Sequence, residues 1–138
     1  MAGVTDAQSG AVIYYGESES RVTLVGTVAK GDSVGFSSGW QRALATTGGV
    51  IQLRCVAAED GVAGQSIKVF FGVCLVGGTR FSGGTANGAL YVAEGTSAGM
   101  YTQTIPTHSG DATTRVGTMI STVLALITPN YYVDSVVA

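Results

Sequence analysis

The sequence predicts an all-β fold, a small β-barrel or β-sandwich built from short strands and hairpins, with an extended N-terminal arm. Glycine supplies 21 of the 138 residues, and the glycines recur between short apolar runs. Glycine provides the positive φ that tight turns between strands require. Residues 50–56 alternate cleanly, with Ile51, Leu53 and Cys55 on one side, as a half-buried strand does.

In the N-terminal half, residues 1–10 are predicted to form a polar arm, and residues 11–138 a single β domain. After the first strand, the acidic segment GESES is expected to turn the chain. A hairpin is predicted across the Ser-Ser-Gly turn that precedes Trp40, and residues 57–64 are expected to form a loop or a short helical turn. Strands are expected at 11–15, 21–29, 34–36, 40–45 and 50–56.

In the C-terminal half, residues 67–76 form the strongest predicted strand, because both of its faces are apolar and burial on both sides is expected. A long Gly/Ser/Thr loop over 77–88 precedes a hairpin made of 90–93 and 100–105. Residues 111–127 fit either a helical period or two strands broken near Ser121; their Thr and Val content favours strands. An apolar tail, 130–138, closes the chain.

Composition excludes several classes of function. The net charge is −2, and the seven Lys and Arg residues are spread singly, which argues against a nucleic-acid surface. No apolar stretch approaches the roughly 18 residues of a membrane helix, and the N-terminus lacks the basic and apolar regions of a signal peptide. We therefore expect a cytoplasmic chain with no membrane partner. Cys55 and Cys74 lie in apolar runs without a CxxC partner, which predicts buried thiols rather than a disulfide or a metal site.

Residues with catalytic chemistry are few. His108 is the only histidine, and a triad with Ser109 and Asp111 would have to form within one loop, so a solvated histidine is the better interpretation. Glu59 and Asp60 form either an acid pair able to bind a cation or, as we favour, a solvated turn. One histidine and two separated cysteines cannot fill a four-ligand zinc site without carboxylates. The sequence predicts no catalytic, cofactor-binding or metal site, and no enzyme.

The aromatic residues are the candidate interface positions. Tyr14 and Tyr15 lie near one terminus, and Tyr131 and Tyr132 lie near the other. Because adjacent strand residues point to opposite faces, one tyrosine of each pair is expected inside and one outside. Trp40 follows a hairpin turn and is interpreted as core, with a contact platform as the alternative.

Two stretches resemble the capsid decoration, or cement, proteins of tailed bacteriophages. They are KGDSVGFSSGWQRALATTGG followed by VAAEDGVAGQSIKVFFGVCLV, and GALYVAEGTSAGMYTQTIPTHSGDATTRVGTMIST. The resemblance covers about residues 30–128 and is carried mainly by the pattern of turns and strands. It implies a small all-β structural protein of the virion, commonly a homotrimer, that assembles in the host cytoplasm. Such a protein binds the outside of the capsid shell and ties neighbouring major capsid subunits together.

Two other classes of function stay open from sequence. A receptor- or carbohydrate-binding β module of a head fibre or tail appendage is suggested by Trp40, Tyr101 and the Ser/Thr-rich loops, since sugars stack on exposed aromatic rings. A small hydrolase would have to use scattered carboxylates, of which Glu59, Asp60 and Asp111 are the candidates.

Overall fold

The computed structural model describes residues 3–129 and 135–138. The predicted all-β fold is confirmed: within these ranges the regular elements are strands, and there is no helix. The described residues accordingly include no helix with the length and apolar character needed to cross a membrane.

The described chain contains thirteen short strands, several of which lie where the sequence placed them. In chain order they are β1 (Thr5–Asp6), β2 (Ala11–Gly16), β3 (Glu19–Thr23), β4 (Ser33–Phe36), β5 (Trp40–Arg42), β6 (Cys55–Ala57), β7 (Ser66–Phe70), β8 (Cys74–Gly78), β9 (Phe81–Ser82), β10 (Ala89–Val92), β11 (Tyr101–Thr102), β12 (Arg115–Met119) and β13 (Ala125–Ile127).

Two larger sheets make up the body of the protein. One has six strands in the order β11-β10-β12-β13-β8-β2, the other has five in the order β3-β7-β6-β4-β5, and β1 pairs separately with β9. Strand neighbours in all three sheets run antiparallel. Beyond β3, a parallel bridge joins Leu24 to Trp40, and the Val25 amide donates to the Trp40 carbonyl at 2.9 Å. The five-stranded sheet therefore curls until its two outer strands approach each other.

The sheets bury two apolar clusters. Successive side chains of a strand point to opposite faces of the sheet, so one strand can contribute to both clusters. On β6, Val56 belongs to one cluster while Cys55 and Ala57 belong to the other. The larger cluster joins the two sheets and includes Val76, Leu90, Val92, Val116, Met119 and Ile127. The smaller one lies on the other face of the five-stranded sheet and includes Val22, Leu24, Val28, Val34, Ile67 and Val69. Cys55 and Cys74 are buried free thiols, as predicted.

The predicted hairpins and the C-terminal strands are confirmed. β4 and β5 pair across the Ser-Ser-Gly turn, where Ser38 and Gly39 take φ of 55° and 138°. β10 pairs with β11 across 95–99, and the ambiguous segment 111–127 contains β12 and β13. A bend around Ser121 separates these two strands, as the sequence indicated.

Several predicted strands are shorter in the structure. The strand expected over 21–29 ends at Thr23, and only isolated bridges continue it. The alternating stretch 50–56 contributes a bridge at Ile51 and then β6. The loop expected over 77–88 instead contains the end of β8 and the short strand β9. In the two shortened strands, buried apolar side chains such as Leu24, Val28 and Leu53 reach the core from irregular backbone, so alternation overestimates the length of the strand.

The single strand predicted over 67–76 is wrong, because this run forms β7 in one sheet and β8 in the other. The backbone bends between them: the amides of Phe71 and Gly72 donate to the carbonyls of Ser18 and Glu17, at 3.1 and 3.0 Å. The Glu17 amide donates in turn to a carbonyl of the bend at 3.0 Å. β2 pairs with β8, and β3 pairs with β7. The segment that joins β2 to β3 therefore bends alongside the one that joins β7 to β8, and the two paired segments pass together from one sheet into the other. The run is apolar on both faces because it contributes to both clusters: Ile67 and Val69 belong to the smaller one, and Cys74 and Val76 to the larger one.

The extended N-terminal arm predicted for residues 1–10 is not confirmed, because its described part lies against the body of the protein. The buried Asp6 carboxylate accepts hydrogen bonds of 2.8 and 3.1 Å from the buried guanidinium of Arg80. Arg80 Nη1 also lies 2.9 Å from Asp32 Oδ1, and the other oxygen, Asp32 Oδ2, accepts a 2.7 Å hydrogen bond from Arg42. An unpartnered charge is costly to bury, so these ion pairs hold the N-terminal segment in place.

Candidate functional site

An apolar surface lies at the outer strand of the six-stranded sheet. It combines Val12, Tyr14 and Tyr15 of β2 with Val123 and Leu124 of the β12–β13 turn, and we call it the tyrosine edge. Tyr14 is 63% exposed, and with Val123 and Leu124 it lines a groove of about 380 Å³. β2 is the last strand of its sheet in the described chain, so one side of its backbone is free for a further strand.

The prediction that one of Tyr14 and Tyr15 points inward is wrong, since both are exposed. The register between β2 and β8 shifts between Ile13 and Tyr15, so Tyr14 is an extra residue in its strand. Such a bulge breaks the alternation of faces. The Tyr14 ring lies over Gly77, where a Cβ atom would come within 2.9 Å of it. The missing side chain at Gly77 therefore makes room for the ring.

Tyr15 points into a polar environment at the same edge. Its hydroxyl donates a 2.6 Å hydrogen bond to Glu17. That bond, with smaller contributions from partial burial and the nearby negative charge, raises the pKa of Tyr15 above its ordinary value. Tyr15 thus remains a neutral hydrogen-bonding group around neutral pH.

Trp40 is half-buried and stabilised by other aromatic rings. It makes edge-to-face contacts with Phe36 at 5.3 Å and with Phe71 at 5.6 Å between centroids. Phe36 is 61% exposed, and Val25 beside this cluster is also exposed. Trp40 therefore belongs only partly to the core, and its neighbour Phe36 forms the exposed part of this aromatic cluster.

The remaining sequence candidates differ in their placement. Tyr131 and Tyr132 lie outside the described residues. Tyr101 is buried, and its hydroxyl donates to the Gly31 carbonyl at 3.0 Å, so its ring is closed to a stacking sugar. No sequence signal marked Tyr101 as buried, because its strand is only two residues long.

Glu59 and Asp60 are tied to neighbouring backbone. Glu59 accepts a 2.8 Å hydrogen bond from the amide of Lys68, and Asp60 accepts one of 2.7 Å from the amide of Lys30. Glu59 also lies 3.8 Å from Arg21. Glu59 therefore fixes its loop to β7, and Asp60 fixes it to the turn before β4; the structure does not join them with Asp111 into one group.

A cluster of Glu94, His108 and Asp111 forms where two loops meet. Glu94 follows β10, while His108 and Asp111 belong to the loop before β12. His108 Nδ1 lies 3.5 Å from Glu94 Oε2 and 3.5 Å from Asp111 Oδ2. His108 is 78% exposed, in line with the favoured interpretation as a solvated histidine, and its close neighbours are Asp111 and Glu94.

The two carboxyl groups of this cluster influence each other. Interaction with Asp111 is the main cause that raises the pKa of Glu94. The same interaction, with the hydrogen bond from the Thr47 amide, lowers the pKa of Asp111. Two acidic groups therefore share one small space, and Asp111 is the more acidic of the two. The sequence missed Glu94 because only the sheet pairing brings it to the 106–114 loop.

Comparison of the chain with protein-family models, curated proteins and solved structures found no match.

Proposed function

We propose that this chain is a structural virion protein that decorates and stabilises a phage capsid by bridging major capsid subunits on the outer shell. The observation that carries the proposal is the tyrosine edge, an exposed apolar surface whose groove lies over β8, between the outer strand β2 and the β12–β13 turn. Exposed apolar patches with aromatic anchors are typical of protein–protein contacts. The sequence resemblance to capsid decoration proteins supports the same function.

Weak contacts are sufficient for this function when they are repeated. A capsid presents the same subunit surface many times, and a symmetric oligomer can contact several copies at once, which multiplies the affinity of each contact. The chain has few charged residues, 12% of its sequence, so its surface can be desolvated at modest cost. We extend the proposal to a homotrimer that contacts the major capsid protein.

Co-sedimentation with capsids tests the proposal. Expanded shells that lack the chain are incubated with the purified protein and pelleted through a sucrose cushion. We expect saturable binding, and Tyr14→Ser is expected to weaken it by about tenfold or more, because an anchoring aromatic contributes at least about 1.4 kcal/mol.

Val62→Ser is the matched control, because Val62 is 51% exposed and lies outside the tyrosine edge. It is expected to bind as the unchanged protein does. Absence of binding at saturating protein contradicts decoration, and equal binding by the Tyr14 and Val62 variants contradicts the role of the tyrosine edge. Circular dichroism of both variants verifies that they are folded.

A further inference from the structure

Glu94, His108 and Asp111 together have the composition of a metal site. Each offers one ligand atom, and the three atoms lie within 4.8 Å of one another. They come from two separate loops that approach through β-sheet pairing, so the grouping is a product of the fold rather than of a sequence motif.

Asp111 supplies an independent indication of a ligand. Its side chain is only 1% exposed. Its Oδ1 accepts a 2.7 Å hydrogen bond from the amide of Thr47. Its Oδ2 is buried and has no hydrogen-bond partner in the described part of the chain. A buried carboxylate oxygen without a partner is costly, and this one points towards His108, where a cation would satisfy it.

The distances in the cluster fit a shared metal better than hydrogen bonds. The two contacts of His108 Nδ1, both 3.5 Å, are longer than the usual N–H···O range of about 2.7–3.2 Å. Two ligand atoms that are each about 2.1 Å from a tetrahedral metal are about 3.4 Å apart. The imidazole nitrogen thus has a ligand-like separation from both carboxylates.

The ligand types select the class of metal. Imidazole with carboxylates suits zinc and other first-row transition cations, whereas Ca²⁺ and Mg²⁺ prefer oxygen ligands alone. His108 is well exposed, so a fourth position faces solvent and a water molecule can fill it. We infer that Glu94, His108 and Asp111 form a binding site for a zinc-class divalent cation.

The surrounding backbone holds the ligands in place. The Asp111 amide donates to the His108 carbonyl at 3.0 Å, and the next amide, of Ala112, donates to Ala45 at 2.8 Å. On the Glu94 side, the Gly95 amide donates to the Thr46 hydroxyl at 2.6 Å. Such support from outside the ligand set orients metal ligands before the metal binds.

A bound cation would strengthen the end of the domain. Glu94 and the 106–114 loop would be joined directly, and this loop already pairs with the C-terminal segment through the bridge between Ala112 and Val136. The amides of Gly110 and Val137 form further bonds of 2.9 Å across the same pairing. The site is independent of the proposed decoration function, since none of its ligands belongs to the tyrosine edge.

Calorimetric titration of ZnCl₂ into the full chain, prepared without a histidine tag, tests the inference. We expect one Zn²⁺ per chain and much weaker binding of Ca²⁺ in a parallel titration. His108→Ala and Glu94→Gln are each expected to weaken Zn²⁺ binding by about tenfold or more, since each removes a ligand. Long-range ¹H–¹⁵N spectra should show that Zn²⁺ changes the Nδ1 resonance of His108.

Glu19→Gln serves as the control, because Glu19 is an exposed acid outside the cluster. It should bind Zn²⁺ as the unchanged chain does. Asp111→Asn keeps an oxygen for the Thr47 amide and so tests the ligand role with the fold preserved. The inference is overturned if no Zn²⁺ binds at millimolar concentration, or if Zn²⁺ binds equally to the folded His108, Glu94 and Asp111 variants.

Discussion

Arg80 joins parts of the chain that lie far apart in sequence. Its guanidinium pairs with Asp6, which is 74 positions away, and also donates to the carbonyls of Lys30 and Gly99 at 3.0 and 3.2 Å. Its charged carbon lies 5.7 and 5.6 Å from the ring centroids of Phe81 and Tyr101. The planar group is thus satisfied at its edges by oxygen and at its faces by aromatic rings.

Asp6→Asn tests the importance of this buried charge. The substitution leaves Arg80 buried without its bidentate partner, so we expect the free energy of unfolding to fall by about 3–5 kcal/mol. Glu19→Gln, which removes an exposed 3.8 Å pair with Lys68, is expected to cost less than about 1 kcal/mol. Urea unfolding measures both, and similar losses would show that the buried cluster contributes no special stability.

The two buried cysteines predict a loss of stability at alkaline pH. Burial raises the pKa of Cys55 and of Cys74 to about 12, from an ordinary value of 9.0. The folded state therefore keeps both thiols protonated while the unfolded chain ionises, so the cysteine contribution is complete below pH 9 and is lost between pH 9 and 12.

Urea unfolding at pH 8 to 11 checks this effect in the unchanged chain and in a Cys55→Ala, Cys74→Ala double variant. Tyrosine and lysine titrate in both proteins, so the difference between the two slopes isolates the thiols. We expect the steeper loss of stability in the unchanged chain; parallel curves would mean that the thiols do not contribute.

At the scale of elements, the bend between β7 and β8 organises the two sheets. Gly72 lies in this bend, where a Cβ atom would come within 2.7 Å of the Glu17 Cβ and 3.1 Å of the Glu17 carbonyl oxygen. The segment between β2 and β3 therefore lies too close to Gly72 for a side chain to fit at this position. This close approach explains a glycine in the middle of an otherwise apolar run.

Gly72→Ala is expected to lower the free energy of unfolding by about 1–3 kcal/mol, because the backbone at Glu17 must move to make room for the methyl group. Gly49→Ala is the matched control, since a Cβ at Gly49 meets nothing within 4 Å. Thermal unfolding followed by circular dichroism compares the two variants, and an unchanged midpoint for Gly72→Ala would contradict the steric account of the bend.

Local signals predicted local structure well at this scale. The turn chemistry around Ser38 and Gly39 identified a hairpin, and the Thr and Val content of 111–127 identified two strands. The same signals could not divide 67–76 between two sheets, since a strand buried on both faces and a run that contributes to two clusters have the same apolar pattern. They also could not find Glu94 beside His108, because the contact depends on how separate loops are brought together.

At the scale of the whole molecule, the charged and apolar groups are distributed unequally. Several charges pair internally around Arg80, while apolar side chains such as Tyr14, Phe36 and Val123 face solvent. This arrangement favours a protein that covers part of its surface with other subunits. The proposed decoration function accounts for it through contacts with copies of the chain and with the shell.

Self-association is a prediction about the free protein. We expect light scattering to give three times the 14.0 kDa chain mass. Val123→Ser and Val62→Ser should each leave this mass unchanged, because the tyrosine edge is the surface proposed to contact the shell. A monomer across all concentrations of the unchanged chain would contradict the homotrimer.

Electron cryomicroscopy of shells that lack the chain, before and after its addition, tests bridging decoration directly. We expect new density on the outer surface, with each bound copy or trimer touching more than one major capsid subunit. An outer surface that stays unoccupied at saturating protein, or density that contacts a single subunit, would contradict bridging decoration.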